Sequence, residues 1–204
     1  MKRIWLLLLL IILVVDQLII GLELGNHLRF FSKPFLLPIL IIYYTLRANP
    51  KNWLFIAGLV MSFFGDLFLM FSWGIIAGLS SFLTAHILYI LTFKPYFQNK
   101  NLVAIPFIIL FVSALYGFLH PHLGVMKIPV LLYAVTIGSM LYVSLGTKSK
   151  WIIIGALLFV LSDSILSLHI FYKSTMIGGM SVMTTYVLAQ YCLVKGMIIR
   201  NNKK

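Results

Sequence analysis

Residues 53–72 read WLFIAGLVMSFFGDLFLMFS, twenty residues that are apolar or small apart from one carboxylate, Asp66. A helix rises ~1.5 Å per residue and the hydrocarbon core of a bilayer is ~30 Å thick, so a run of this kind crosses it. Comparable runs recur on both sides, at about 4–20, 35–47, 74–93, 101–119, 128–146, 151–171 and 176–199. Pro34, Pro38, Pro106 and Pro129 fall near the starts of spans, where a missing amide costs least. Phe71-Ser72-Trp73-Gly74 joins the third and fourth spans as a tight helical hairpin. The expected fold is therefore all-α: a polytopic transmembrane helical bundle of about eight spans, forming a single integral membrane domain over residues 1–204.

Composition agrees. The chain has 204 residues, 62% hydrophobic, 15% aromatic and 10% charged, whereas soluble chains run roughly 45–50% apolar and about 25% charged. Eight spans use ~160 residues and leave ~44 for loops and tails, too few for an appended globular domain. Met1-Lys2-Arg3 followed by Ile4–Ile20 has the look of a signal peptide. Its apolar run is too long and no small-x-small site follows, so it reads as a retained first span. Cys192 is the one cysteine, which rules out an intramolecular disulfide.

The formal charge is +12, which on a soluble protein would point to nucleic acid. Here the basic residues lie between apolar runs, where they act as orientation signals and contacts for anionic lipid; no nucleic-acid partner is expected. With the N-terminus inside, the inner segments hold twelve Lys and Arg and the outer segments four: Arg29, Lys33, Lys127 and Lys173. That asymmetry places both termini in the cytoplasm. The expected location is a multi-pass position in a membrane, the cell membrane if the source is bacterial.

A weak repeat runs through the pattern. Gly58 precedes Asp66 by eight residues and Gly155 precedes Asp163 by eight; Gly78 precedes Tyr89 by eleven and Gly179 precedes Gln190 by eleven. Two four-span halves in one orientation would give this spacing, and sites at the interface of such repeats are known.

Acids are scarce, four in all, so each carries information. Asp16 and Glu23 lie near the outer interface, where solvation is the expected state. Asp66 and Asp163 sit inside apolar runs, where an ionised carboxylate costs ~2.5–3.5 kcal/mol on insertion scales. Residues so placed usually face a bundle interior and serve a function. Counted from the inner ends, they lie at similar depths of ~20 and ~18 Å, so they can share one cavity. His86 is the histidine deep in a span, with Tyr89 one turn on, and Tyr133, Tyr186 and Gln190 can add polar contacts. Asp66, His86, Asp163 and His169 would make a ligand set, but no HExxH or HxxxH spacing appears, and neither a metal nor another cofactor is expected. No phosphate-binding glycine loop or GxSxG elbow appears either.

These residues resemble the YhhN-like lysoplasmalogenases, small polytopic membrane proteins. The resemblance runs over most of the chain: Lys33-Pro34, Gly65-Asp66-Leu67-Phe68-Leu69-Met70, Gly78 through Ala85-His86 to Tyr89, Ser162-Asp163-Ser164, and Tyr186 with Gln190. It implies hydrolysis of the vinyl ether bond of lysoplasmalogens, giving a fatty aldehyde and a glycerophospho-alcohol, with a lysophospholipid as substrate in the bilayer. Such a reaction takes one neutral carboxylic acid and one carboxylate, as glycoside hydrolysis does. Asp66, Asp163 and His86 would be the catalytic residues, with Lys33, Tyr89, Tyr133, Tyr186 and Gln190 binding substrate. Lys33 would reach the substrate phosphate or simply snorkel to the interface. The competing reading is a proton-coupled small-molecule or lipid transporter, because paired midplane carboxylates also suit proton relays.

Overall fold

The computed structural model describes residues 2–202; Met1 and the tail residues Lys203 and Lys204 counted above lie outside the described residues. Within them the chain forms eight α-helices: α1 (Lys2–Gly21), α2 (Lys33–Arg47), α3 (Trp53–Phe68), α4 (Ile75–Phe93), α5 (Ala104–Leu119), α6 (Lys127–Gly146), α7 (Lys150–Phe171) and α8 (Met176–Asn201). Six of them, α1 and α4 to α8, are long and apolar enough to cross a membrane. The protein is a multi-pass membrane protein.

α2 and α3 are shorter, 15 and 16 residues, or ~22 and ~24 Å. They still run from one face of the bundle to the other. At one face Asn202 ties the α2–α3 loop to the end of α8, its Oδ1 accepting from Asn49 N at 2.9 Å and its Nδ2 donating to Arg47 O at 3.0 Å. At the opposite face Gln17 of α1 donates to Met180 O near the start of α8. There Phe30, in the short helical turn Asn26–Phe31, packs on Phe71 beyond α3, with ring centroids 5.5 Å apart. The reading of a span over 53–72 is therefore corrected: α3 stops at Phe68 and the chain turns back at once. A Cβ on Gly74 would lie 1.9 Å from the Phe68 carbonyl oxygen, so only glycine allows the return there. Asp66 consequently sits in the last turn of its helix, sunk beneath the outer surface by the helix's own shortness.

α3 packs most closely on α4, and α7 on α8. Close approach is possible because each pair meets over glycine. An ideal Cβ on Gly58 would fall 2.5 Å from the Tyr89 ring, and one on Gly155 would fall 2.7 Å from the Leu193 side chain and 2.9 Å from its backbone nitrogen. Small residues at such seams let backbones approach where lipid supplies no hydrophobic drive. The core, with Leu40, Tyr44, Phe55, Leu59, Phe159 and Met197 fully enclosed, lies among α2, α3, α4, α7 and α8. α5 stands at the edge; Leu119 is its buried residue, while Phe107, Ile109, Leu110 and Phe118 face outward.

Gly155→Val should lower the melting temperature in detergent, since overpacking costs ~1–3 kcal/mol and a backbone atom of Leu193 cannot give way. Gly117→Ala, with nothing within 4 Å of the added carbon, should leave the melting temperature unchanged or raise it.

Candidate active site

Local signals set the helices that carry the site. Asn52 caps α3, its Oδ1 accepting from Phe55 N at 3.0 Å while its own N–H donates to the Tyr44 hydroxyl at 3.1 Å. Thr175 caps α8, its Oγ1 accepting from Gly178 N at 3.0 Å. α2 begins at Lys33-Pro34, the proline falling in the first turn as expected.

From these ends two polar clusters converge. In the first, the Lys33 ammonium lies 3.3 Å from Asp66 Oδ1, with the two side chains only 11% and 6% exposed. Neither snorkelling nor a free phosphate-binding role anticipated this pair. Behind it Asp16 is fully buried rather than solvated, which corrects the interfacial reading. Ser32 Oγ donates to Asp16 Oδ1 at 2.8 Å, and Arg29 donates to both carboxylate oxygens at 3.3 and 3.4 Å. Asp16 thus fastens the segment that ends at Lys33, and with it the ammonium facing Asp66.

In the second cluster the Tyr133 hydroxyl of α6 donates to Asp163 Oδ2 of α7. His86 Nε2 stands 3.7 Å from the same oxygen, beyond a hydrogen bond. The His86 ring is walled by Phe159, Tyr133 and Tyr89, with centroids 4.7, 5.3 and 6.5 Å away. Asp66 and Asp163 lie within electrostatic reach of each other, and the Tyr186 phenol faces Asp66.

A hydrogen-bond chain runs behind both clusters. Ser62 Oγ and Tyr89 Oη are 3.2 Å apart, Tyr89 donates to Gln190 Oε1 at 3.0 Å, and Gln190 Nε2 reaches the Tyr186 oxygen at 3.5 Å. Tyr89 and Gln190 are fully buried and engaged with each other. Their place is structural support, binding α3, α4 and α8 at the depth of the acids, rather than a cavity wall.

Among the described residues, three buried atoms break the usual rule that buried polar groups find partners: Asp66 Oδ2, His86 Nδ1 and His86 Nε2 have no hydrogen bond. A buried group left without a partner costs about 1–3 kcal/mol, and all three atoms belong to these two clusters. A cavity of ≈650 Å³ between α5, α6 and α7 opens onto this cluster. Its wall is apolar apart from a few groups that include Tyr133, Asp163, Ser164 and Ser167. Asp66 and His86 are not on that wall; they lie behind it, so the one cavity expected to be shared by both carboxylates has Asp163 on its wall and Asp66 and His86 enclosed behind it. His169 turns away, with Ser174 Oγ at 3.1 Å from its Nε2 and Thr175 N donating to its Nδ1, so the four-residue ligand set does not assemble. Among the described residues no three His, Cys, Asp or Glu side chains gather as a metal-holding group.

Residues 28–197 match the family model described as the YhhN family. The chain belongs to the YhhN family. Lysoplasmalogenase TMEM86B of Mus musculus is 28% identical over 164 residues, 79% of this chain and 71% of that protein. The Rattus norvegicus protein of that name is 28% identical over 79% of this chain and 68% of its own length. The human one is 33% identical over 65% and 58%. No solved structure matches the chain. The YhhN match contains every member of both clusters except Asp16.

Removing one member of the buried Lys33–Asp66 pair should cost far more than removing both. Lys33→Met leaves a carboxylate enclosed without its cation and should lose about 3–5 kcal/mol, seen as a large fall in melting temperature. Lys33→Met combined with Asp66→Asn should recover most of it.

Proposed function

We propose that the protein hydrolyses the vinyl ether bond of a single-chain ether phospholipid of the lysoplasmalogen class. Two facts support the substrate: the relatives in mouse, rat and human are named lysoplasmalogenases, and the candidate acid faces an apolar cavity in a membrane protein. The observation that carries the reading is Asp163 on that cavity wall with the unpartnered His86 nitrogens beside it.

The reaction begins with proton transfer to carbon. Asp163 donates to the vinyl carbon remote from the ether oxygen, and the double bond's electrons form the new C–H bond. The carbon beside oxygen becomes an oxocarbenium ion. Tyr133 holds Asp163 Oδ2, which leaves Oδ1 to deliver the proton. A water then adds to the cationic carbon and gives up a proton, for which His86 Nε2 is placed, 3.7 Å from Asp163 Oδ2. The hemiacetal collapses with cleavage of the carbon–oxygen bond, releasing a fatty aldehyde and a glycerophospho-alcohol, and Asp163 is reprotonated. One water is consumed.

Asp66 contributes charge. Its ion pair with Lys33 keeps a carboxylate in the apolar interior, where a preformed negative group stabilises developing positive charge far better than water would. That division of labour gives the two aspartates unequal parts.

Purified protein in detergent, given choline and ethanolamine lysoplasmalogens, should release aldehyde detectable by mass spectrometry. A transporter would need a sealed vesicle and would release none. Asp163→Asn should lower turnover by roughly 10²–10⁴-fold, the worth of a general acid, without loss of folding. His86→Gln removes the group that accepts the water's proton and should lower turnover by a comparable factor. The Asp66→Asn, Lys33→Met double variant, which avoids a stranded charge, should fall short of the Asp163→Asn loss.

A further inference from the structure

The cavity between α5, α6 and α7 extends well past the acid. Its lining runs from Leu119 and Val130 near the outer ends of their helices past Ala104 and Leu145 near the inner ends to Val103 and Asn101. The hydroxyls on its wall are already engaged: Tyr133 with Asp163, Ser164 with Val160 O at 2.7 Å, and Ser167 with Ser164 O at 2.8 Å. Tyr116 donates to Lys127 O at 3.3 Å, and what remains is hydrocarbon surface with one carboxylic acid part-way along it and Asn101 at its inner end.

We propose that this cavity holds the substrate's hydrocarbon chain, which enters sideways from the bilayer past α5 and is measured by a floor at Ala104 and Leu145. The proposal rests on the vinyl ether reading above and adds where the chain lies and what limits its length.

The length of α6 below the acid sets the chain. Tyr133 and Leu145 are twelve residues apart on α6, ~18 Å along the axis. An extended chain advances ~1.2 Å per bond, taking the reach of a three-bond backbone residue, so ~15 carbons fit between the acid and the floor. With the two vinyl carbons at the acid counted in, a chain of roughly 16–18 carbons fits that length.

The side entrance follows from how α5 is held. It meets α6 over a narrow strip at Gly138, where an added Cβ would come within 3.1 Å of Ile108 and 3.4 Å of Val112. On the far side of that strip lies another cavity, of ≈490 Å³. A helix flanked by space on both sides and facing lipid can move aside at small cost. A partner helix seated here would cover Asp163 without giving it a partner. A vinyl ether lipid, whose reacting bond begins its chain, brings that bond to the acid while the rest of the chain fills the apolar length below.

Two readouts test this. With lysoplasmalogens of 12 to 22 carbons, turnover should hold up to about 16–18 carbons and drop beyond. Leu145→Trp and Ala104→Phe raise the floor; each should lower the 18-carbon to 12-carbon rate ratio at least about tenfold, the equivalent of two expelled methylenes. Retained 12-carbon turnover shows that the variants fold. A ratio unchanged in both variants would overturn the proposal. The second readout needs no turnover: a saturated alkyl-ether lysophospholipid with a diazirine at its chain end should label residues 104–111 and 138–145, and Leu145→Trp should suppress the labelling. Labelling elsewhere, or spread evenly over the lipid-facing helices, would overturn the chain site. Labelling as expected with no hydrolysis at any chain length would uphold the chain site and count against the vinyl ether reaction instead.

Discussion

Hydrocarbon does not solvate charge, and the architecture of this protein follows from how it places carboxylates there. Three of its four acids are buried or nearly so, and each is held differently. Asp16 is saturated by Ser32 and Arg29. Asp66 is balanced by the Lys33 ammonium but keeps one oxygen without a partner. Asp163 has a tyrosine for company and an apolar cavity in front of it. The gradient from full to partial satisfaction runs from the segment that ends at Lys33 toward the proposed acid, Asp163.

Holding those groups requires tight seams. Gly58 lets the Tyr89 ring lie against α3, and from there its hydroxyl reaches both Ser62 and Gln190. Gly155 lets α8 close on α7, the helix of Asp163. The bundle is therefore rigid where the acids sit and loose at α5, where packing is sparse. Under the proposed function the site holds a proton in place and admits a long chain, and these two properties fall on different helices.

The helices were legible in the sequence because apolar length and proline position are local signals. α4 to α8 fall within three residues of the spans read from the sequence. The end of α3 was missed, because Leu69, Met70 and Phe71 are as apolar as the helix before them and only the approach of Gly74 to the Phe68 carbonyl stops it. Asp66, Asp163, His86 and Tyr133 stood out because polar residues in hydrocarbon are rare. Their pairings did not. Lys33 is 33 residues from Asp66, and Asp16 lies 13 and 16 residues from Arg29 and Ser32, so no local pattern joins them. Tyr89 and Gln190 were singled out, but it took coordinates to see that they bond each other instead of lining the cavity. The cavity itself had no signature, since α5 is apolar but for Ser113 and Tyr116 and an apolar side chain facing a cavity reads the same as one facing lipid.

The central claim is that a buried carboxylic acid protonates carbon. Hydrolysis of a lysoplasmalogen by the purified protein in heavy water tests it most directly, with the aldehyde collected for mass spectrometry and the rate compared with light water. Carbon protonation puts one deuterium on the carbon next to the aldehyde carbonyl and slows the reaction severalfold. An aldehyde without deuterium, formed equally fast in both solvents, would contradict it.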